Sequence, residues 1–229
     1  MSKIINREVS VVTVLTASLY GLVYVFQRGY AEFFGYPNEF IFVDLNMALS
    51  TGFIFLLLVS SVIFFANSLF FMSEFGFGKS VVVMVFIYIF VMAIKYGFKS
   101  AFYNSSDGAA LARGGAIGFS FFLVLVFYSF KKMALASELS DKYSKGTVFL
   151  MSIFMLAYSS GWLAAGFNND IHQNSSGYYL ISSYGDSHII GKCLMNKSEF
   201  MKVNSLDSSY YKSELAGLNS TKRCFRKAS

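Results

Sequence analysis

Apolar residues are gathered into five long blocks, separated by short polar stretches. The blocks run Val9 to Gln27, Met47 to Met72, Val81 to about Tyr103, Gly114 to Phe130 and Gly146 to Gly166. Each is long enough to be read as a helix crossing a bilayer, which needs roughly 20 apolar residues. Val9 to Gln27 follows a charged start, as a signal peptide does, with Thr16-Ala17-Ser18 as its cleavage site. Cleavage there would leave Leu19 to Phe26 as an apolar new start, so an uncleaved spanning helix is preferred. The pattern changes after Gly166. Phe167 to Ser229 is rich in Ser, Asn, Lys and Tyr. Two alternating runs there, Tyr178 to Tyr184 and His188 to Met195, flank Gly185-Asp186-Ser187 and predict a β-hairpin. Asp207 is placed to cap a short helix over Ser208 to Leu218. The predicted fold class is an all-α transmembrane helical bundle of about five spans with a small C-terminal α+β extramembrane domain. Its boundaries are 1–166 and 167–229.

Composition agrees with this plan. The 229 residues are 55% hydrophobic and only 14% charged, whereas a soluble domain carries about 25% charged residues. The net charge of +6 lies in loops and at the C-terminus, including Lys222, Arg223, Arg226 and Lys227. That distribution favours orientation signals and anionic lipid over nucleic acid, for which no module is present. The most basic connection is Lys131 to Lys145. Inner loops hold Lys3, Arg7, Lys79, Lys131, Lys132, Lys142 and Lys145; outer ones hold Arg28, Lys95, Lys99 and Arg113. The bias sets the N-terminus in the cytoplasm and, after five crossings, the C-terminus in the periplasm of a bacterial inner membrane.

Several residues stand out chemically. Lys95 and Lys99 lie four apart, hence on one helix face at the end of the third block. They either line an aqueous path or pore or meet an acidic partner at an interface, or they snorkel to the headgroups. Small-residue pairs at four-residue spacing occur at Ala17 with Gly21, Gly114 with Gly118, and Gly161 with Ala165. Such pairs let helix backbones approach in lipid, within a bundle or in a self-oligomer. Both cysteines, Cys193 and Cys224, fall in the tail. In an oxidising compartment they form a disulfide that staples a domain too small for a large core.

Catalysis is disfavoured. Gly78-Lys79-Ser80 resembles the end of a phosphate loop, but position 73 is Ser and an apolar block precedes it. Cys and His number two each, and with both cysteines expected in a disulfide the two histidines alone do not make a zinc set. The apolar blocks hold no Asp, Glu or His in their cores, so no acid–base pair forms there and no cofactor is implied.

Gly35-Tyr36-Pro37-Asn38-Glu39-Phe40-Ile41 resembles a Gly-Ile-Pro-x-x-Phe-Ile pattern that follows the first span in many small bacterial membrane proteins; Tyr36 departs from it. The plan of several spans and a short polar tail is similar to the transmembrane effectors carried beside retrons and other anti-phage systems. The resemblance implies a protein held silent by a partner, which rearranges or oligomerises and permeabilises the inner membrane; it assigns no residue roles. The expected function is therefore a membrane-perturbing effector in antiviral defence. The alternative is a binding or immunity-type membrane protein that uses its exported tail for recognition. The expected partners are the bilayer and either a second protein or further copies of the chain.

Overall fold

A computed structural model describes residues 2–53, 60, 77–96, 107–168, 172–184, 186–194, 198–205, 211–212 and 225. Helix α1 spans Ser2–Phe34, α2 starts at 45 and is described to 53, α3 spans Phe77–Tyr96, α4 Asp107–Ala134 and α5 Leu139–Phe167. Strands β1 (His172–Gln173), β2 (Tyr179–Tyr184), β3 (Ser187–Cys193), β4 (Ser198–Val203) and β5 (Tyr211–Lys212) form one antiparallel sheet in the order β4-β3-β2-β1-β5. The chain is mostly helical with a small C-terminal sheet.

The helices run past the boundaries that hydropathy suggested. The first block ends near Gln27, but α1 continues two further turns to Phe34. It stops at Gly35, whose φ of 75° is accessible mainly to glycine and lets its N–H return to Ala31 O at 2.8 Å. Pro37 then caps a single 3₁₀ turn, Asn38–Phe40. Asp44 opens α2, its carboxylate accepting from Met47 N at 2.6 Å. The basic stretch Lys131 to Lys145 is not a long loop. Lys131 and Lys132 occupy the last turn of α4, and α5 resumes at Leu139 with Lys145 paired to Asp141 one turn earlier. Cations at a helix C-terminus are favoured by its dipole, which suits Lys131 and Lys132 to the end of α4, while Asp141 in the first turn of α5 is favoured at that N-terminus.

Two helices among the described residues are long and apolar enough to cross a membrane, Ala112–Ala134 and Leu139–Phe167. That is fewer than the expected number of about five. Val81–Tyr96 is apolar but shorter, and most of Met47 to Met72 and part of Val81 to Tyr103 lie outside the described residues. The outward faces of the helices are apolar: Val82, Phe86, Phe90 and Ile94 on α3, Ile117 and Phe121 on α4, and Leu150, Met151 and Met155 on α5 are exposed. Such faces would be unstable in water and suit hydrocarbon.

Inside the bundle, close approach depends on glycine at a few positions. A Cβ on Gly29 would collide with the Tyr158 carbonyl of α5, and one on Gly161 with the Phe26 carbonyl of α1. The two glycines thus let α1 and α5 cross with their backbones in contact. Gly115 does the same for α4 against Leu163, where a Cβ would stand 2.9 Å from the backbone nitrogen, and a Cβ on Gly118 would stand 2.9 Å from Ser159 Oγ. Of the residues paired in the sequence, Gly161, Ala165 and Gly118 are at helix contacts. Gly114 and Ala17 are exposed, and a Cβ on Gly21 would meet only the Phe154 ring at 3.4 Å. Gly29 and Gly115 carry the tight contacts instead.

The tail departs from expectation in two places. Tyr211–Lys212, expected within a helix over Ser208 to Leu218, instead pairs as β5 with His172 and Gln173. The rest of that expected helix lies outside the described residues. Strand β4 pairs with β3 over six registered residues, from His188↔Val203 to Cys193↔Ser198.

Replacing Gly161 by Ala should lower the stability of the purified protein by about 1–3 kcal/mol, the usual cost of overpacking. Gly114→Ala should change it by no more than about 0.5 kcal/mol. Thermal unfolding in detergent compares the two.

Candidate functional site at the helix–sheet seam

One hydrophobic core joins the helix ends to the sheet. Ala31, Phe33, Phe34 and Tyr36 from α1 and its exit, Ala165 from α5, and Ile181, Tyr184, Ile189 and Phe225 from the tail are buried together. The aromatic rings meet edge to face: Phe33 on Trp162 at 5.6 Å and Phe33 on Phe34 at 5.1 Å. On the sheet side Phe200 lies 5.4 Å from Phe225 and 6.1 Å from Tyr36.

A β-bulge aims the key side chains. The β2–β3 register shifts between Leu180 and Ser182. In an uninterrupted strand, Ile181 and Tyr184 would face opposite sides, because side chains alternate. The extra residue turns both inward, and both are 2% exposed. The shift also leaves Ile181 without a registered partner on β3, and its carbonyl accepts from Tyr30 Oη at 3.1 Å.

A chain of hydroxyls crosses the seam. Tyr184 Oη donates to Gln27 Oε1 at 3.1 Å. A phenol has one proton, so Tyr36 must be the donor in its 2.7 Å contact with Tyr184. The order is therefore Tyr36 to Tyr184 to Gln27. Nearby, Asn168 Nδ2 at the end of α5 donates to Tyr30 Oη at 2.8 Å. Gln27 is only 6% exposed. Among the described residues its amide nitrogen reaches only Met47 Sδ at 4.0 Å, a weak acceptor, so little of the group's donor capacity is spent on them.

A pocket of about 280 Å³ lies beside this chain. Phe26, Gln27 and Tyr30 line it from α1, Ala164 and Asn168 from α5 and its C-cap, and Leu180, Ile181, Ser182 and Ser183 from β2. Among the described residues the lining contains amides, hydroxyls and two aromatic rings, and no Asp, Glu, Lys, Arg or His. Burial pushes the pKa values of Tyr36 and Tyr184 up, and each has the other as a hydrogen-bond partner.

The residues singled out in the sequence lie elsewhere. Lys95 is exposed in the last turn of α3, and Lys99 lies outside the described residues. Cys193 ends β3, half-buried beside the shared core, and is not a free thiol; Cys224 lies outside the described residues. The sequence did offer a signal for the site: Gln27 within an apolar block and tyrosines on both sides of the seam. No pattern linked them, because they are separated by 157 positions. No family model, curated protein or solved structure matches this chain.

The raised tyrosines predict a pH dependence. A phenol held neutral in the fold ionises more readily once unfolded, so the unfolded chain binds fewer protons above about pH 10. The contribution of Tyr36 and Tyr184 is complete below that pH and is lost as pH rises toward their folded values. Unfolding followed from pH 8 to 11.5 should show a steep fall above pH 10. The fall should be shallower in Tyr36→Phe, and an equal slope in that variant would contradict the assignment.

Proposed function

We propose that the chain is a multi-pass membrane protein of the bacterial inner membrane, with its sheet on the periplasmic side, and that it acts as a membrane-perturbing effector. In this reading the sheet is the sensing part and the helices are the acting part. The observation that carries it is the core shared by α1, α5 and β2, with the Tyr36–Tyr184–Gln27 chain inside it. A partner that displaces the sheet would strip apolar cover from Phe33 and Phe34 and leave Gln27 without an acceptor bond. Either change alters how α1 sits in the bundle. The apolar outer faces of α3, α4 and α5 supply the membrane contact. A role in antiviral defence, with silencing by a partner, extends this reading.

The proposed disulfide between Cys193 and Cys224 fits the same orientation. It is supported by Cys193 carrying no free thiol and by the residue after Cys224, Phe225, being buried on the sheet 6.1 Å from Tyr179. An impermeant maleimide applied to intact spheroplasts should label neither cysteine until a reductant is added, then both. Labelling without reductant would reject the pairing.

Regulated expression without a partner should depolarise cells, and replacing Lys95 and Lys99 by Gln should change the leak. Normal membrane potential at high expression would reject the effector reading. The alternative, a binding protein that uses its exported sheet for recognition, is favoured specifically by the pocket against β2. It predicts intact potential together with ligand binding.

A further inference from the structure

We propose that the pocket between α1, α5 and β2 binds a neutral, hydroxyl-rich group of about one sugar ring: a free hexose or the head of a neutral glycolipid. The inference rests on the membrane placement proposed above, and not on the effector activity.

The pocket walls set the ligand chemistry. Among the described residues, no ionisable acid or base other than the Tyr30 phenol lines the cavity, so a phosphate, carboxylate or ammonium would meet no counter-charge from them. Desolvating such a charge is costly. A neutral polyol faces no such penalty and needs matched donors and acceptors, which Gln27, Asn168, Ser182 and Ser183 supply. Gln27 is the strongest pointer. It is more than nine-tenths buried, it borders the cavity, and among the described residues its amide N–H groups have only a distant thioether as acceptor. Buried donors in folded proteins are satisfied as a rule, and a hydroxyl in the cavity would complete this one. Phe26 and Tyr30 add aromatic surface to the α1 wall, against which the apolar C–H face of a sugar can rest.

Size and position narrow the choice. At about 280 Å³ the cavity falls just under the roughly 300–1,000 Å³ typical of small-molecule sites. One ring fits better than an oligosaccharide. The cavity sits at the last turns of α1 and the end of α5, where the apolar helix surface gives way to the sheet. A headgroup anchored by its acyl chains would be held at that depth, and a free sugar would reach it from the aqueous side.

The test uses the full chain in nanodiscs. One arm titrates glucose to 50 mM into phosphatidylcholine discs. The second replaces a tenth of the lipid with monoglucosyl diacylglycerol. A third uses phosphatidylglycerol at the same level. Thermal unfolding and native mass spectrometry read binding. The proposal expects a saturable rise in Tm of several degrees, with retained ligand, in the first or second arm and none in the third. The responding arm identifies the source. Ala164→Phe, which fills the cavity and leaves its hydrogen bonds intact, should weaken binding at least tenfold. Gln27→Leu should do the same, and if Gln27→Leu fails to fold, Ala164→Phe alone decides. No response to either sugar in the wild-type chain, an undiminished response in Ala164→Phe, or a response confined to the anionic lipid would each overturn it. Cell depolarisation is scored separately, so the effector reading and the site can fail independently.

Discussion

The structure depends on a single constraint: among the described residues, the buried face of the sheet shares one core with the end of α1. Ile181, Tyr184 and Ile189 cover one side, and Phe33, Phe34 and Ala165 the other. A tail of roughly sixty residues buries only a marginal core alone. Docking onto helix ends enlarges that core and also covers Phe33 and Phe34. The polar chain from Tyr36 through Tyr184 to Gln27 lies along this core, where each partner is buried and its hydrogen bond takes the place of solvation. Apolar burial supplies the affinity between the two parts, and the hydroxyl chain fixes their register.

That register depends on features at two scales. Within the bundle, Gly29 and Gly161 bring α1 and α5 into backbone contact, so Gln27 and Tyr30 face Asn168 across the cleft. Within the sheet, the bulge at Ile181 turns Tyr184 inward and frees a carbonyl for Tyr30. If either were lost, the donors and acceptors would miss each other by a residue. Additional ties surround the seam: Tyr96 donates to Gly166 O at 2.9 Å, and the Lys202 ammonium lies 5.4 Å from the Phe42 ring centroid. The pocket is the space left where helices and sheet meet imperfectly.

Much of the helical plan was legible, because a helix in lipid leaves a long apolar block in the sequence. The hairpin was legible too: β2 (Tyr179–Tyr184) and β3 (Ser187–Cys193) fall on the two alternating runs of the sequence. What hydropathy missed were the extensions: Arg28 to Phe34 read as a loop because it carries charge, yet α1 continues through it on the strength of its buried phenylalanines. Spacing alone chose Gly114 over Gly115, because a four-residue rule cannot tell which face meets the neighbour. The helix expected around Tyr211 lost to strand pairing with His172 and Gln173, a long-range contact with no local signal. The seam itself was invisible for the same reason: its hydrogen bonds join positions 148 and 157 apart.

If helix ends and sheet form one cooperative unit, they must open together. Hydrogen exchange of the chain in nanodiscs, with and without Phe33→Ala, tests this most directly. Truncating this one α1 side chain should lower amide protection in β2 and β3 by the same factor as in the last turns of α1. Sheet amides that keep their wild-type protection while α1 loosens would contradict it.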